Sequence, residues 1–195
     1  MFTGIIEQLG MVEAVTVRDT NVQLTIKSTM AQELKVDQSV SHNGVCLTVE
    51  AINGETYKVT AIEETLKKTN VGTWQAGTII NLERCLRFDG RIDGHIVQGH
   101  VDTVGTCIGY EEKKGSWEYK IEIEEKFALL IIEKGSISLN GISLTIFNVM
   151  NTSFMVAIIP YTFEYTNMHT LQLGNKVNIE FDMIGKYVNK IHGKN

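Results

Sequence analysis

Two histidines, a cysteine, and a small set of serines and threonines stand where this chain could do chemistry. His95 and His100 lie in Gly94-His95-Ile96-Val97-Gln98-Gly99-His100-Val101-Asp102. An imidazole changes charge near neutral pH and so can move a proton, and flanking glycines let backbone approach a ligand closely. The competing reading is a satisfied polar residue in a turn. Cys46 occurs in Asn43-Gly44-Val45-Cys46-Leu47-Thr48, and Ser143 in Asn140-Gly141-Ile142-Ser143-Leu144-Thr145. Thr48 and Thr145 follow two residues later, hence on the same strand face. Each motif thus offers a polar stripe suited to hydrogen-bonding a heterocycle, although Cys46 also reads as a small buried strand residue. Ser39 and Ser136, with Ser41 and Ser138, are weaker signals because serines near turns are common. Asp102 and Asp182 are acidic candidates, but loop carboxylates are mostly solvated. No P-loop, dinucleotide fingerprint, zinc motif or nucleophile elbow is present.

The two Asn-Gly motifs are one motif met twice. Residues 39–49 reappear as residues 136–146, an offset of 97. At the same offset residues 65–70 answer 162–167, and 77–83 answer 174–180. Nearer the start, Gly4-Ile5-Ile6-Glu7 with Gly10 meets Gly99-His100-Val101-Asp102 with Gly105, shifted by 95. Solenoid units repeat every roughly 20–50 residues, so a period this long reads as two copies of one small domain. Two like domains give two like pockets. His100 stands where the first copy has Ile5, so a titratable group breaks the duplication there.

Elements must position these residues, and they read as strands. Residues 22–26, 57–61 and 119–123 alternate apolar and polar side chains, the pattern of a strand with one buried face. Turn signals punctuate them at Asn53-Gly54, Asp89-Gly90, Lys114-Gly115 and Asn151. Closing so small a sheet into a barrel removes exposed edges, which favours barrels. Short helical pieces are expected at 28–34, 63–69 and 124–132. The expected organisation is a first barrel over 1–86, a second over 87–182, and a C-terminal helix over 183–195. That tail has no counterpart in the first half, and its Ile184, Tyr187, Val188 and Ile191 form a helical stripe that its own domain or another subunit must cover. A net charge of −5 gives no electrostatic case for nucleic acid or an anionic membrane. Three cysteines without metal-type spacing, no apolar leader and no apolar run long enough for a bilayer point to a soluble cytoplasmic protein.

Taken together, the start Met1-Phe2-Thr3-Gly4-Ile5-Ile6-Glu7, residues 42–49, 94–101 and 140–145, and Asn178-Ile179-Glu180-Phe181-Asp182 with Lys186-Tyr187-Val188 resemble the riboflavin synthase family. The matches run in the family's order from the first residue nearly to the last. The resemblance implies an all-β fold of two tandem homologous six-stranded antiparallel Greek-key barrels and a short C-terminal helix supporting a homotrimer. It implies dismutation of two 6,7-dimethyl-8-ribityllumazine molecules, by four-carbon transfer, into riboflavin and 5-amino-6-ribitylaminouracil. No metal or redox cofactor is implied. Association with lumazine synthase is a further partner the family brings in. The reacting pair is expected to meet between the N-terminal barrel of one subunit and the C-terminal barrel of another.

By similarity, one pocket takes Gly4, Ile5, Ile6, Cys46, Leu47 and Thr48 with Thr60, Ala61, Ile62, Glu63, Glu64 and Thr65. The other takes Gly99, His100, Val101, Lys134, Ser143, Leu144 and Thr145 with Ile159, Pro160, Tyr161, Thr162, Phe163 and Glu164. Lys134 has no basic mate, its first-half equivalent falling at Val36 and Asp37, and Tyr161 and Phe163 make the second loop bulkier than Glu64 and Leu66. The 7-methyl protons of the lumazine are acidic because the carbanion delocalises into the ring, so a positioned weak base suffices. His100 is the acid–base candidate, helped by Thr145 or water; Cys46, Ser39, Ser143 or water could add at C7, and Asp182 completes the catalytic candidates. The rival reading is a non-catalytic relative, like the lumazine proteins of luminous bacteria, that binds lumazine or flavin as an optical antenna. Retention of His95, His100, Cys46, Ser143 and the Lys186-Tyr187-Val188 tail favours the enzyme.

Overall fold

A computed structural model describes residues 1–192. The first half contributes β1 (Gln8–Arg18), β2 (Asn21–Lys27), β3 (Ser39–His42), β4 (Val45–Thr48), β5 (Ala51–Asn53), β6 (Thr56–Ala61), α1 (Glu63–Lys68) and β7 (Ile79–Arg84). The second contributes β8 (Thr103–Lys113), β9 (Ser116–Glu122), β10 (Ser136–Leu139), β11 (Ile142–Phe147), β12 (Ser153–Ile158), α2 (Pro160–Tyr165), β13 (Lys176–Phe181) and α3 (Met183–His192). The pieces expected at 28–34 and 124–132 are 3-10 turns, Thr29–Glu33 and Glu125–Leu130. The repeat offset grows from 95 to 97 across this stretch, between β9 and β10, so the two extra residues of the second copy are absorbed there.

The second half closes into a six-stranded barrel in the order β10-β11-β12-β9-β8-β13. The first is a seven-stranded sheet, β4-β3-β7-β1-β2-β6-β5, in which the stretch answering β11 stops at Thr48 and a further short strand, β5, follows the break. At the break, Val49 N donates to Gln38 O and Glu50 N to Lys58 O, both at 2.8 Å. Successive residues therefore pair to opposite sides, and the sheet curls onto itself with its seam at Val49 and Glu50. Both long hairpins carry a bulge at the same place, Val12/Ala14 and Cys107/Gly109, which bends each strand around its barrel. Each half has its own core, with Leu24, Ile26, Ile80 and Leu82 in one and Ile121, Ile137, Phe154 and Ile179 in the other.

What joins the halves is polar. Three repeat-related pairs of buried asparagines, Asn43/Asn140, Asn70/Asn167 and Asn81/Asn178, exchange hydrogen bonds across the interface. Asn81 Nδ2 donates to Asn140 O, and Asn178 Nδ2 donates to Asn43 O, each at 2.9 Å. Asn167 N donates to Asn81 Oδ1 at 2.8 Å, and Asn70 N to Asn178 Oδ1 at 2.7 Å. These four bonds form two repeat-related pairs, so the barrels are related by a pseudo-two-fold axis. The two Asn-Gly turns meet on it so closely that a Cβ on Gly44 would lie 2.8 Å from Gly141 N.

One buried polar pair breaks the symmetry. In the first barrel His42 Nδ1 lies 3.0 Å from Val40 O and Nε2 lies 2.8 Å from Tyr57 Oη. A carbonyl only accepts, so Nδ1 carries the proton and Nε2 accepts from Tyr57. The second barrel has Leu139 and Phe154 at these places. Burial lowers the His42 pKa to about 4. The unfolded ring takes up a proton near pH 6.5 and the folded ring does not, so stability is full above that value and falls as the pH drops toward 4. At roughly 1.4 kcal/mol per pH unit the loss reaches about 3 kcal/mol. Urea unfolding at pH 7.5 and 4.5 should show this slope. It should vanish in a His42→Leu/Tyr57→Phe double variant, which should also lose less stability than the two single variants summed.

Candidate functional site

Each half begins with an extended arm, residues 1–7 and 94–102, and the two arms cross. Phe2 N donates to Val97 O at 2.7 Å and Val97 N to Phe2 O at 3.1 Å. Phe2 and Val97 are themselves repeat mates, so this bridge lies on the pseudo-two-fold axis. Beyond it the arms separate onto opposite barrels. Gly4 O accepts from Ser143 N at 2.8 Å, and Gly99 O accepts from Cys46 N at 2.9 Å. The side chains that follow confirm the exchange: Ile6 packs against the second core, and Val101 against the first. Both glycines are required. Their φ angles are +77° and +82°, and a Cβ would lie 2.6 Å from the Ser143 Cβ or the Cys46 Cβ.

This corrects the grouping expected from the sequence. Gly4, Ile5 and Ile6 belong with Ser143, not with Cys46, while Gly99, His100 and Val101 belong with Cys46. Similarity between halves is unchanged by exchanging the arms, so offset matching cannot detect the crossing.

The first composite site is a cleft of about 390 Å³ lined by Cys46, Glu64, Thr65, Lys68, Gly99, His100 and Val101, among others. Cys46 lies on β4, whose alternate residues Val45 and Leu47 point into the barrel core. Cys46 and Thr48 therefore face outward, toward the arm, while the Leu47 side chain packs in the core. Burial raises the Cys46 thiol above its ordinary pKa, against a hydrogen bond from the Ser39 side chain, so the group is a neutral thiol rather than a ready thiolate. Ser39 pairs with Thr48 across β3 and β4, and Cys85 Sγ lies 3.4 Å from its carbonyl. The His100 side chain is exposed. From the β6–α1 corner, Glu64 and Thr65 line the cleft, Ala61 is in the core, and Ile62 is exposed. Thr60 and Glu63 flank that corner without lining the cleft.

The second site centres on Ser143 with Gly4. His95 Nδ1 lies 2.6 Å from Ser143 Oγ, and His95 N donates to Thr3 O at 3.1 Å. Burial lowers the His95 pKa, opposed by the charge of Asp182. Ser143, His95 and Asp182 are thus gathered by three distant segments. The sequence flagged His95, and only the fold shows that its partner is Ser143. Asp182 also caps α3, accepting from Ile184 N at 2.9 Å. Thr145 is exposed on the face of Ser143, whereas Leu144 packs on the second core. In the loop, Ile159 and Tyr161 are exposed, with Pro160, Thr162 and Glu164 on the same short helix. Phe163 stacks on Trp117, ring centroids 3.8 Å apart. Lys134 sits in a left-handed turn with its ammonium 5.9 Å from the Phe147 ring.

Comparison with known proteins bears on what these clefts hold. The lumazine binding domain family matches the chain twice, over residues 3–85 and 98–182. The riboflavin synthase of Actinobacillus pleuropneumoniae is 38% identical over 189 residues, covering 96% of this chain and 88% of that protein. That of Bacillus subtilis (strain 168) is 37% identical with the same coverage. That of Saccharomyces cerevisiae (strain ATCC 204508 / S288c) is 36% identical, covering 97% and 85%. Among solved structures, LumP complexed with 6,7-dimethyl-8-(1'-D-ribityl) lumazine shares the fold with a TM-score of 0.85 at 22% identity, covering 93% of this chain and 99% of that one. With two lumazine binding domains and full-length likeness at this level, the chain belongs to the riboflavin synthase family.

Proposed function

We propose that this protein is a riboflavin synthase that dismutates two molecules of 6,7-dimethyl-8-ribityllumazine into riboflavin and 5-amino-6-ribitylaminouracil. The observation that carries the reading is the pair of composite sites, alike in backbone and different in chemistry. A dismutation needs one molecule bound twice in two roles. His100 serves the first site only, as the base that takes a proton from the 7-methyl group of the donor. At the second site His95, held neutral by burial, accepts the Ser143 hydroxyl proton, and Ser143 Oγ adds at C7 of the acceptor. Cys46, a neutral thiol, contacts the donor ring rather than attacking it. Glu64 and Tyr161, which are repeat mates, face the two ribityl chains with different chemistry. Thr145 lines the second site beside Ser143, and Lys134 completes a site from the neighbouring subunit's side. The family requires no added cofactor, and free cysteines fit a cytoplasmic location.

An oligomer belongs to this reading. In the crossed arms, Gly99 lies four extended residues beyond His95, opposite Gly4, so the two anchor points are roughly 13 Å apart at about 3.3 Å per residue. Stacked rings need roughly 3.5–4 Å, so two molecules are brought together between subunits. Ile184, Tyr187, Val188 and Ile191 on α3 are all exposed in the single chain, beside a groove lined by Leu129, Leu130 and Ile132. A homotrimer packed through α3 covers this surface.

Purified protein mixed with the lumazine should form riboflavin, followed by absorbance and fluorescence. His100→Ala should lose about 10²-fold or more in turnover, the range of general acid–base catalysis. Binding with a spectral shift and no product would instead place the protein with the antenna relatives. In a second test, Ile184→Lys/Val188→Lys should yield a monomer by light scattering. That monomer should still bind riboflavin but should lose turnover, because each site would lack its partner.

A further inference from the structure

Each arm is held by a buried carboxylate that the reaction itself does not use. Glu83, on β7, accepts from Thr3 N at 2.6 Å, Thr3 Oγ1 at 2.8 Å and Gly4 N at 3.0 Å. Glu180, its repeat mate on β13, accepts from Gln98 N at 2.6 Å, Gly99 N at 2.9 Å and His100 N at 2.9 Å. Both glutamates are almost fully buried. Hydrogen bonds to an ionised acceptor are about twice as strong as neutral ones, and three converging on one carboxylate fix the direction of successive backbone amides. The arms then leave for the opposite barrel, so the carboxylate that stands behind each site is on the other barrel from its strand residue.

We propose that Glu180 and Glu83 are positioning residues that act crosswise. Glu180, on the second barrel, sets Gly99 and His100 over Cys46 of the first, and Glu83, on the first barrel, sets Gly4 against Ser143 of the second. This deepens the enzymatic reading by specifying what places the base, but its test does not depend on turnover. Glutamine preserves the volume of either side chain, yet offers one acceptor oxygen and turns an amide donor toward N–H groups. It should loosen an arm without opening a cavity.

The reporters are thiols. Alkylation by iodoacetamide, resolved by peptide mass spectrometry, reads Cys46 directly, and Ser143→Cys supplies a matching thiol at the second site. Buried Cys107 reports general unfolding. Loss of a charged hydrogen bond should raise exposure about tenfold. Glu180→Gln should therefore speed Cys46 and leave the thiol at position 143 unchanged, with Glu83→Gln doing the reverse and Cys107 slow throughout. Turnover should fall through kcat more than KM in Glu180→Gln, with partial recovery in Glu180→Asp. The proposal is overturned if each variant loosens the site on its own barrel, if both thiols speed together, or if neither does. Should a glutamine variant unfold, shown by fast Cys107, hydrogen exchange in the corresponding aspartate variant reads the arms instead. In Glu180→Asp the amides of residues 98–100 should exchange faster while those of residues 3–4 do not; equal change in both arms overturns the proposal.

Discussion

The architecture depends on the exchange of hydrogen bonds among six buried asparagines. A primary amide removed from water must find partners or forfeit about 1–3 kcal/mol, and here the partners of Asn81 and Asn178 stand on the opposite barrel. Apolar surfaces could slide over one another with little penalty. Directional bonds at 2.7–2.9 Å cannot, so the network fixes one relative orientation of the barrels. That orientation puts Phe2 beside Val97 and lets each arm reach across. Remove the register and neither composite cleft exists.

On this frame the residues that build the two sites recur in both copies, while residues that line them differ. The bulges, the Asn-Gly turns, the glutamates of β7 and β13 and the arm glycines are kept in both copies. Among the differences are three at the clefts: Ile5 against His100, Cys46 against Ser143, Glu64 against Tyr161. Two pockets of one shape but different reactivity are what a reaction between identical molecules demands. The His42–Tyr57 pair, replaced by Leu139 and Phe154, shows that a barrel interior tolerates a polar solution or an apolar one, provided both partners change together.

Much of this was legible in the residues. Alternation marked strands such as Thr56–Ala61, the 97-residue offset gave the two domains, and the Asn-Gly motifs located Cys46 and Ser143. The interruption at Val49 and Glu50 was not legible, because the second half carries the same motif, and the matching bond from Ile146 N to Gly135 O, in an unbroken strand. Nor was the crossing, since arm similarity is blind to which barrel an arm meets. The asparagines held a clue: three repeat-related pairs in a β protein, too many to be turn residues alone. His95 illustrates the remaining limit, as 48 residues separate it from Ser143 and only the crossing of the arms makes them neighbours.

The bridge between Phe2 and Val97 carries a record of origin. An arm that docks on its twin rather than on its own barrel is the geometry of a domain-swapped homodimer, in which two identical chains trade a terminal segment across a true two-fold axis. Fusing two such chains end to end needs only a linker, and residues 87–93 supply one without disturbing either arm. In one chain, unlike in a dimer of identical chains, each half carries residues of its own, as His100 against Ile5 shows. Within one chain, the swap means that each half supplies a wall of the other's pocket.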